Sequence, residues 1–156
     1  MLIFRSILFY LSLTIWTILM GIICLPFIIL PSKILKYPTK IWIRGIFIFL
    51  KLVCNIKHQI IGLDNIPDEP LLIVSKHQST FETFGLYYYL KDCFFIHKKE
   101  LFIIPIFGQY LFKSNMVAID RNGGTLTMRK MLEDVKKKLE LGKSIIIFPE
   151  GTRKKV

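Results

Sequence analysis

The chain has 156 residues, 53% of them hydrophobic and 13 of them Phe, with 22 Lys/Arg against 11 Asp/Glu and a formal net charge of +11. Such a composition excludes a disordered tail, a collagen and a low-complexity segment. Three cysteines (Cys24, Cys54, Cys93) without paired CxxC spacing give neither a disulfide scaffold nor a structural zinc site.

A chain both apolar and basic points to a membrane surface or a nucleic acid, and charge position separates the two. Residues 1–63 contain no Asp or Glu, only Arg5, Lys33, Lys36, Lys40, Arg44, Lys51 and Lys57 as charged side chains. All the acidic residues lie beyond them. The composition changes near Asn55–Ile60, and we divide the chain into a membrane-embedded or interfacial helical arm, 1–55, and an α/β domain, 56–156. No RNP, helix-turn-helix or basic-aromatic signature is present, so no nucleic-acid partner is expected.

Between Arg5 and Lys33 there is no charged residue. Ser6–Leu25 as a helix spans ~30 Å, about one hydrocarbon core, and Pro26 would kink or end it. The apolar run is too long for a signal-peptide core and lacks a small-x-small cleavage site. Full span and single-leaflet insertion both fit. From Tyr37-Pro38 to Val53 a second helix is predicted, with Lys40, Arg44 and Lys51 within ~40° on its wheel and Phe47 intruding on the stripe. A narrow basic stripe on an apolar helix suits an anionic lipid interface, and a buried helix with three solvated charges is the alternative. If the first helix spans, the cluster Lys33–Arg44 places its C-terminal side in the cytoplasm.

Beyond residue 56 short apolar runs alternate with turns. Strands are predicted at 58–63, 71–76, 93–98, 116–120 and 144–149. Thr125–Leu141 reads as a helix with an apolar face of Met128, Met131, Leu132, Val135 and Leu139, closed by Gly142. The triple lysine 136–138 falls on its solvated side. Strands alternating with helices imply an α/β layer architecture.

The strand at 71–76 runs directly into His77-Gln-Ser-Thr-Phe-Glu82. Sites in α/β folds gather at strand carboxyl ends, and a neutral His can take a proton near pH 7. On a regular helix His77 and Glu82 would point ~140° apart. They meet only if His77 lies in the loop and the helix begins after it. Ser79-Thr-Phe-Glu82 matches a capping box, which would start the helix there and turn the Glu82 carboxylate back toward His77. A purely structural cap, with His77 incidental, reads equally well from this stretch alone. Arg121 follows the strand at 116–120, and Gly151 and Arg153 follow that at 144–149. Gly lets backbone approach a ligand, and Arg forks onto phosphate. Solvated loop arginines are the alternative for each separately.

Taken together, these segments resemble the 1-acylglycerol-3-phosphate acyltransferase (lysophosphatidic acid acyltransferase) family, bacterial type. His77-QSTF-Glu82 looks like its HxxxxD block with Glu in place of Asp, KKELFIIPIFG with AIDR like the second block, and FPEGTR like the third. The resemblance covers about residues 60–153. It implies a glycerol-3-phosphate acyltransferase-like core, a mixed sheet flanked by helices. It also implies acyl transfer from acyl-CoA or acyl carrier protein to the sn-2 hydroxyl of lysophosphatidic acid, giving phosphatidic acid at the cytoplasmic side of a bacterial inner membrane. His77 would be the base and Glu82 would orient it. Lys99, Arg121, Glu150, Gly151, Thr152 and Arg153 would bind substrate, with Arg121 and Arg153 on the phosphate. No metal or organic cofactor is implied. Family members continue past FPEGTR through further strands and a fourth block. The expectation is therefore a C-terminally truncated chain, either an inactive remnant or one half of a split enzyme completed by a separately encoded polypeptide.

Overall fold

A computed structural model describes residues 1–104, 107–114, 116–120 and 123–151. The chain divides into two compact units, Met1–Leu63 and Asp64–Val156.

The first unit is a helical hairpin of α1 (Leu2–Ile23) and α2 (Lys36–Cys54). Uninterrupted apolar sequence makes α1 long and apolar enough to cross a membrane by length and composition, and Pro26 falls in the short 3-10 turn that follows it. Pro38 sits in the first turn of α2, where its missing N–H interrupts no helical bond. The two helices are tied by their indoles: Trp16 Nε1 donates to the Trp42 carbonyl at 2.9 Å, and Trp42 Nε1 to Thr17 Oγ1 at 3.1 Å. Gly45 makes the approach feasible, because a Cβ there would overlap the Trp16 ring. Phe47, the residue that interrupts the basic stripe, is buried, with its ring 4.4 Å from that of His58.

The second unit is a sheet in the order β1-β4-β2-β3, with β1 Leu72–Val74, β2 Cys93–Lys98, β3 Val117–Ile119 and β4 Ser144–Ile147. A mixed sheet was expected; the three pairings among these strands are all parallel. Parallel strands require crossovers, and helices supply them: α3 (Phe81–Tyr89), α4 (Phe107–Lys113) and α5 (Gly124–Glu140). Strand alternation gives the sheet two apolar faces. On one, Phe94, Val117 and Ile145 pack with Met131, and Val135 and Leu139 of α5 close over them. On the other, Phe95, Ile146 and Leu90 pack with Leu86 and Tyr87 at the end of α3.

Two expectations are corrected. Residues 58–62 form no strand: Gly62 takes φ 83°, Ile60 and Ile61 are exposed, and the described sheet begins at β1. A strand exists only where its backbone pairs with another, and none of the described pairings includes this run. The apolar face of α5 is also narrower than its periodicity predicts. Met128 and Leu132 stay exposed, as do Leu72 (63%) and Val74 (60%) on β1. By register these two β1 residues share the face of Ile145 and Ile147, so α5 covers this face away from its β1 edge.

The segment after β2 depends on one glycine. A 3-10 turn, Lys99–Ile103, leads to α4, and Gly108 N donates to the Ile104 carbonyl at 2.7 Å. A Cβ on Gly108 would collide with the Phe102 backbone, which cannot swing aside as a side chain can. Gly108→Ala is expected to destabilise the second unit by about 1–3 kcal/mol, the cost of overpacking. A lower denaturation midpoint in detergent solution checks this.

Candidate active site

All four strands run the same way, so their carboxyl ends share one edge of the sheet. That edge carries His77 after β1, Glu150 and Gly151 after β4, Lys99 after β2 and Asp120 after β3. Open α/β sheets present their ligand sites along this edge.

His77 is half-buried in the loop between β1 and α3. Its ring stacks on Phe148 with centroids 4.3 Å apart and planes at 25°, and Phe148 stacks in turn on Phe95 at 5.8 Å. The imidazole is thereby fixed against the strand that delivers Glu150 and Gly151. His77 Nδ1 is buried and has no hydrogen-bond partner among the described residues.

The capping box is formed in part: the helix N-cap is Thr80, one residue after the expected Ser79. Ser79 Oγ accepts from Phe81 N at 3.0 Å, and the Glu82 carboxylate accepts from Ser79 N at 2.8 Å. Glu82 also takes the Gln78 amide at 2.7 Å and the Ser79 hydroxyl at 2.6 Å. The expected direct meeting of Glu82 with His77 is therefore not what these atoms make. The carboxylate is occupied by the loop backbone immediately after His77. Burial pushes the Glu82 pKa up, but the Ser79 hydroxyl and the backbone amides of Glu82, Gln78 and Ser79 together outweigh it and hold the carboxyl below its usual range.

After β4, Phe148-Pro-Glu-Gly151 closes a turn in which Gly151 N donates to the Phe148 carbonyl at 2.9 Å. Gly151 has φ 61°, the left-handed region that an L side chain enters only with strain, so the residue is needed here for the turn itself. Glu150 Oε2 is buried with no partner among the described residues. Lys99 Nζ lies 3.9 Å from Asp120 Oδ2, an exposed pair of little energetic weight. Arg121, Thr152 and Arg153 lie outside the described residues.

Sequence reading passed over His97. It occupies an inward position of β2, two residues beyond Phe95 on the same face, and its Nδ1 lies 2.8 Å from the Lys98 carbonyl. Burial holds its pKa below the usual histidine value, partly offset by that carbonyl, and Nε2 is buried without a partner among the described residues. The available signal was a polar residue at an inward strand position. Buried polar atoms are normally satisfied, and His77 Nδ1, Glu150 Oε2 and His97 Nε2 all belong to segments at or near this edge. The arrangement offers a stacked imidazole able to take a proton, beside a glycine turn that lets a ligand approach backbone.

Comparison with known proteins accords with this geometry. The Acyltransferase family model matches residues 57–156. The 1-acyl-sn-glycerol-3-phosphate acyltransferase of Pseudomonas aeruginosa is 36% identical over 152 residues, covering 96% of this chain and 59% of that protein. A chloroplastic protein of the same name from Arabidopsis thaliana is 34% identical over 148 residues, covering 88% of this chain and 39% of its own length. The crystal structure of the 1-acyl-sn-glycerophosphate acyltransferase PlsC from Thermotoga maritima superposes with a TM-score of 0.74 at 24% identity, covering 98% of this chain and 62% of that one, and shares the fold. The chain thus spans less than two thirds of the length of these relatives. Family model, relatives and fold agree: this chain belongs to the acyltransferase family.

Proposed function

We propose that the chain transfers a fatty acyl group from a thioester donor, acyl-CoA or acyl carrier protein, to the sn-2 hydroxyl of 1-acylglycerol-3-phosphate, giving phosphatidic acid. The observation that carries this reading is the half-buried His77, stacked on Phe148 at the carboxyl edge of the sheet beside the Glu150-Gly151 turn. His77 takes the proton of the acceptor hydroxyl as that oxygen attacks the thioester carbonyl. The C–S bond then breaks, and the departing thiolate takes the proton back from the imidazolium. Glu82 positions His77 through the loop backbone. As the resemblance implies, Arg121 and Arg153 bind the acceptor phosphate with Lys99 as a further contact, and Glu150, Gly151 and Thr152 bind around the glycerol. Residues 1–55, with an α1 of bilayer length and a second helix carrying Lys40, Arg44 and Lys51, hold the enzyme at the cytoplasmic side of a bacterial inner membrane.

The test is acceptor-dependent thiol release by the purified chain, with phosphatidic acid identified as product. Arg153→Ala is expected to raise the acceptor KM by about tenfold or more, the scale of a lost charge-assisted hydrogen bond. An unchanged KM removes Arg153 from the phosphate site.

A second reading is favoured by the uncovered Leu72 and Val74 on β1. Parallel sheets are normally covered on both faces, so a further polypeptide segment would complete this one before it turns over. Activity that appears only when extract from the source organism is added would favour this reading over activity of the chain alone.

A further inference from the structure

The segment after β2 presents apolar side chains to which the proposed chemistry assigns no role. Ile103 is 81% exposed, Ile104 44% and Phe112 74%. They are held on one small knob. Ile104 and Phe112 lie four residues on either side of Gly108, which packs against the Phe102 backbone, and the Phe102 and Phe112 rings meet edge to face at 5.7 Å. The Gly108–Phe102 approach sets the backbone path that carries these exposed side chains. Lys98, Lys99 and Lys113 bound the segment in sequence, with Glu100 as its acidic group and Lys99 facing Asp120. Exposed large apolar side chains on a lysine-bearing segment are the chemistry of the lipid–water interface. The knob also springs from the carboxyl edge of the sheet, where β2 ends and the candidate site lies.

We infer that this knob inserts into the lipid–water interface, so that the second unit has a membrane contact of its own beyond the helical arm. The occupant is a bilayer surface. Position favours it over a protein partner, since the acceptor and product proposed for the adjoining site are themselves membrane lipids. The inference rests on that reading for its choice of occupant. Its physical effect is to press the open edge of the site against the source of acceptor, which then reaches His77 without crossing water.

The test uses the full chain in phosphatidylcholine vesicles containing phosphatidylglycerol. With Cys24, Cys54 and Cys93 replaced by Ala, an environment-sensitive NBD label is placed in turn at Ile103→Cys, Phe112→Cys, Ser12→Cys in α1 and Lys136→Cys on the exposed side of α5. Expected are blue-shifted emission and quenching by nitroxide-labelled lipid at 103, 112 and 12, with water-like emission at 136. A quenched label at 12 with water-like labels at 103 and 112 overturns the inference, and so does a chain unquenched at every position. Should the cysteine-free chain fail to fold, a benzophenone amino acid at position 103 of the otherwise unchanged chain gives the same answer. Crosslinking to lipid supports the inference, and crosslinking only to a second copy or another protein contradicts it. Acyl transfer in detergent micelles is measured separately. A chain inactive there but quenched at 103 loses the catalytic reading alone, and an active chain unquenched at 103 loses the membrane contact alone.

Discussion

Replacing His77 by Ala is expected to lower lysophosphatidate-dependent thiol release by at least ~10², and by up to about 10⁴, the range over which general-base catalysis accelerates a reaction. The other described histidine near this edge, His97, lies within β2 with its Nδ1 against the Lys98 carbonyl, not in the loop after β1. Lys99 is exposed and faces Asp120, and Glu82 is bound to the loop amides. The loss should fall on kcat, because the imidazole acts on the reacting hydroxyl, while phosphate contacts made by other residues survive. The His77–Phe148 stack provides a control. His77→Phe keeps an aromatic ring on Phe148 and removes the nitrogens, so it should fold as the parent does and be as inactive as the alanine variant. An active variant of either kind would remove His77 from the chemistry. Steady-state assays with circular dichroism of both variants decide the matter.

Glu82 carries the second large effect, and its variants separate two ways of serving His77. If the carboxylate acted on the imidazole through its charge, Glu82→Gln would cost nearly as much as Glu82→Ala. The observed bonds are to the Gln78 and Ser79 amides and the Ser79 hydroxyl, all of which a Gln side-chain oxygen can still accept in part. Glu82→Gln is therefore expected within about threefold of the parent. Glu82→Ala frees the loop, lowers stability by about 1 kcal/mol and cuts kcat roughly 10- to 100-fold by misplacing the ring. The same bonds set a pH dependence. Because the folded carboxyl titrates below its usual 4.5, its stabilising contribution is complete above that pH. It is lost as pH falls from there through the lower folded value. Hydrogen exchange of the Gln78 and Ser79 amides should accelerate, relative to neighbouring helical amides, across that acid window in the parent and not in Glu82→Gln.

These two residues also mark how far the sequence could be read. The helix start was legible because its signal is local: Glu82 reaches back to Ser79 within one turn, and the helix begins one residue later than the box dictates. That His77 lies in a loop followed from the same box. The three-dimensional consequence did not, since the carboxylate's preference for two amides over an imidazole depends on the path of the loop. Strand β2 matched its predicted span because Cys93–Lys98 is flanked on both sides, by β4 and β3. The run at 58–63 looks as strand-like but pairs with no strand among the described residues, a non-local fact that periodicity cannot carry. Met128 and Leu132 share the apolar stripe of α5 but remain exposed, for helical period says which side chains share a face and not how wide the covered sheet beneath it is. The first block and the described part of the third follow β1 and β4, at one edge of the sheet. His97 escaped notice because its interest lies in burial, and the strand around it reads simply as apolar.

The central claim is direct acyl transfer to lysophosphatidate at the edge carrying His77. Its most direct measurement combines product analysis with the intact mass of the protein after incubation with acyl-CoA, with and without lysophosphatidate. The account predicts free thiol and phosphatidic acid in equal amounts only when lysophosphatidate is present, and an unchanged protein mass throughout. No turnover in the presence of both substrates, or an acyl group covalently retained by the protein, would contradict it.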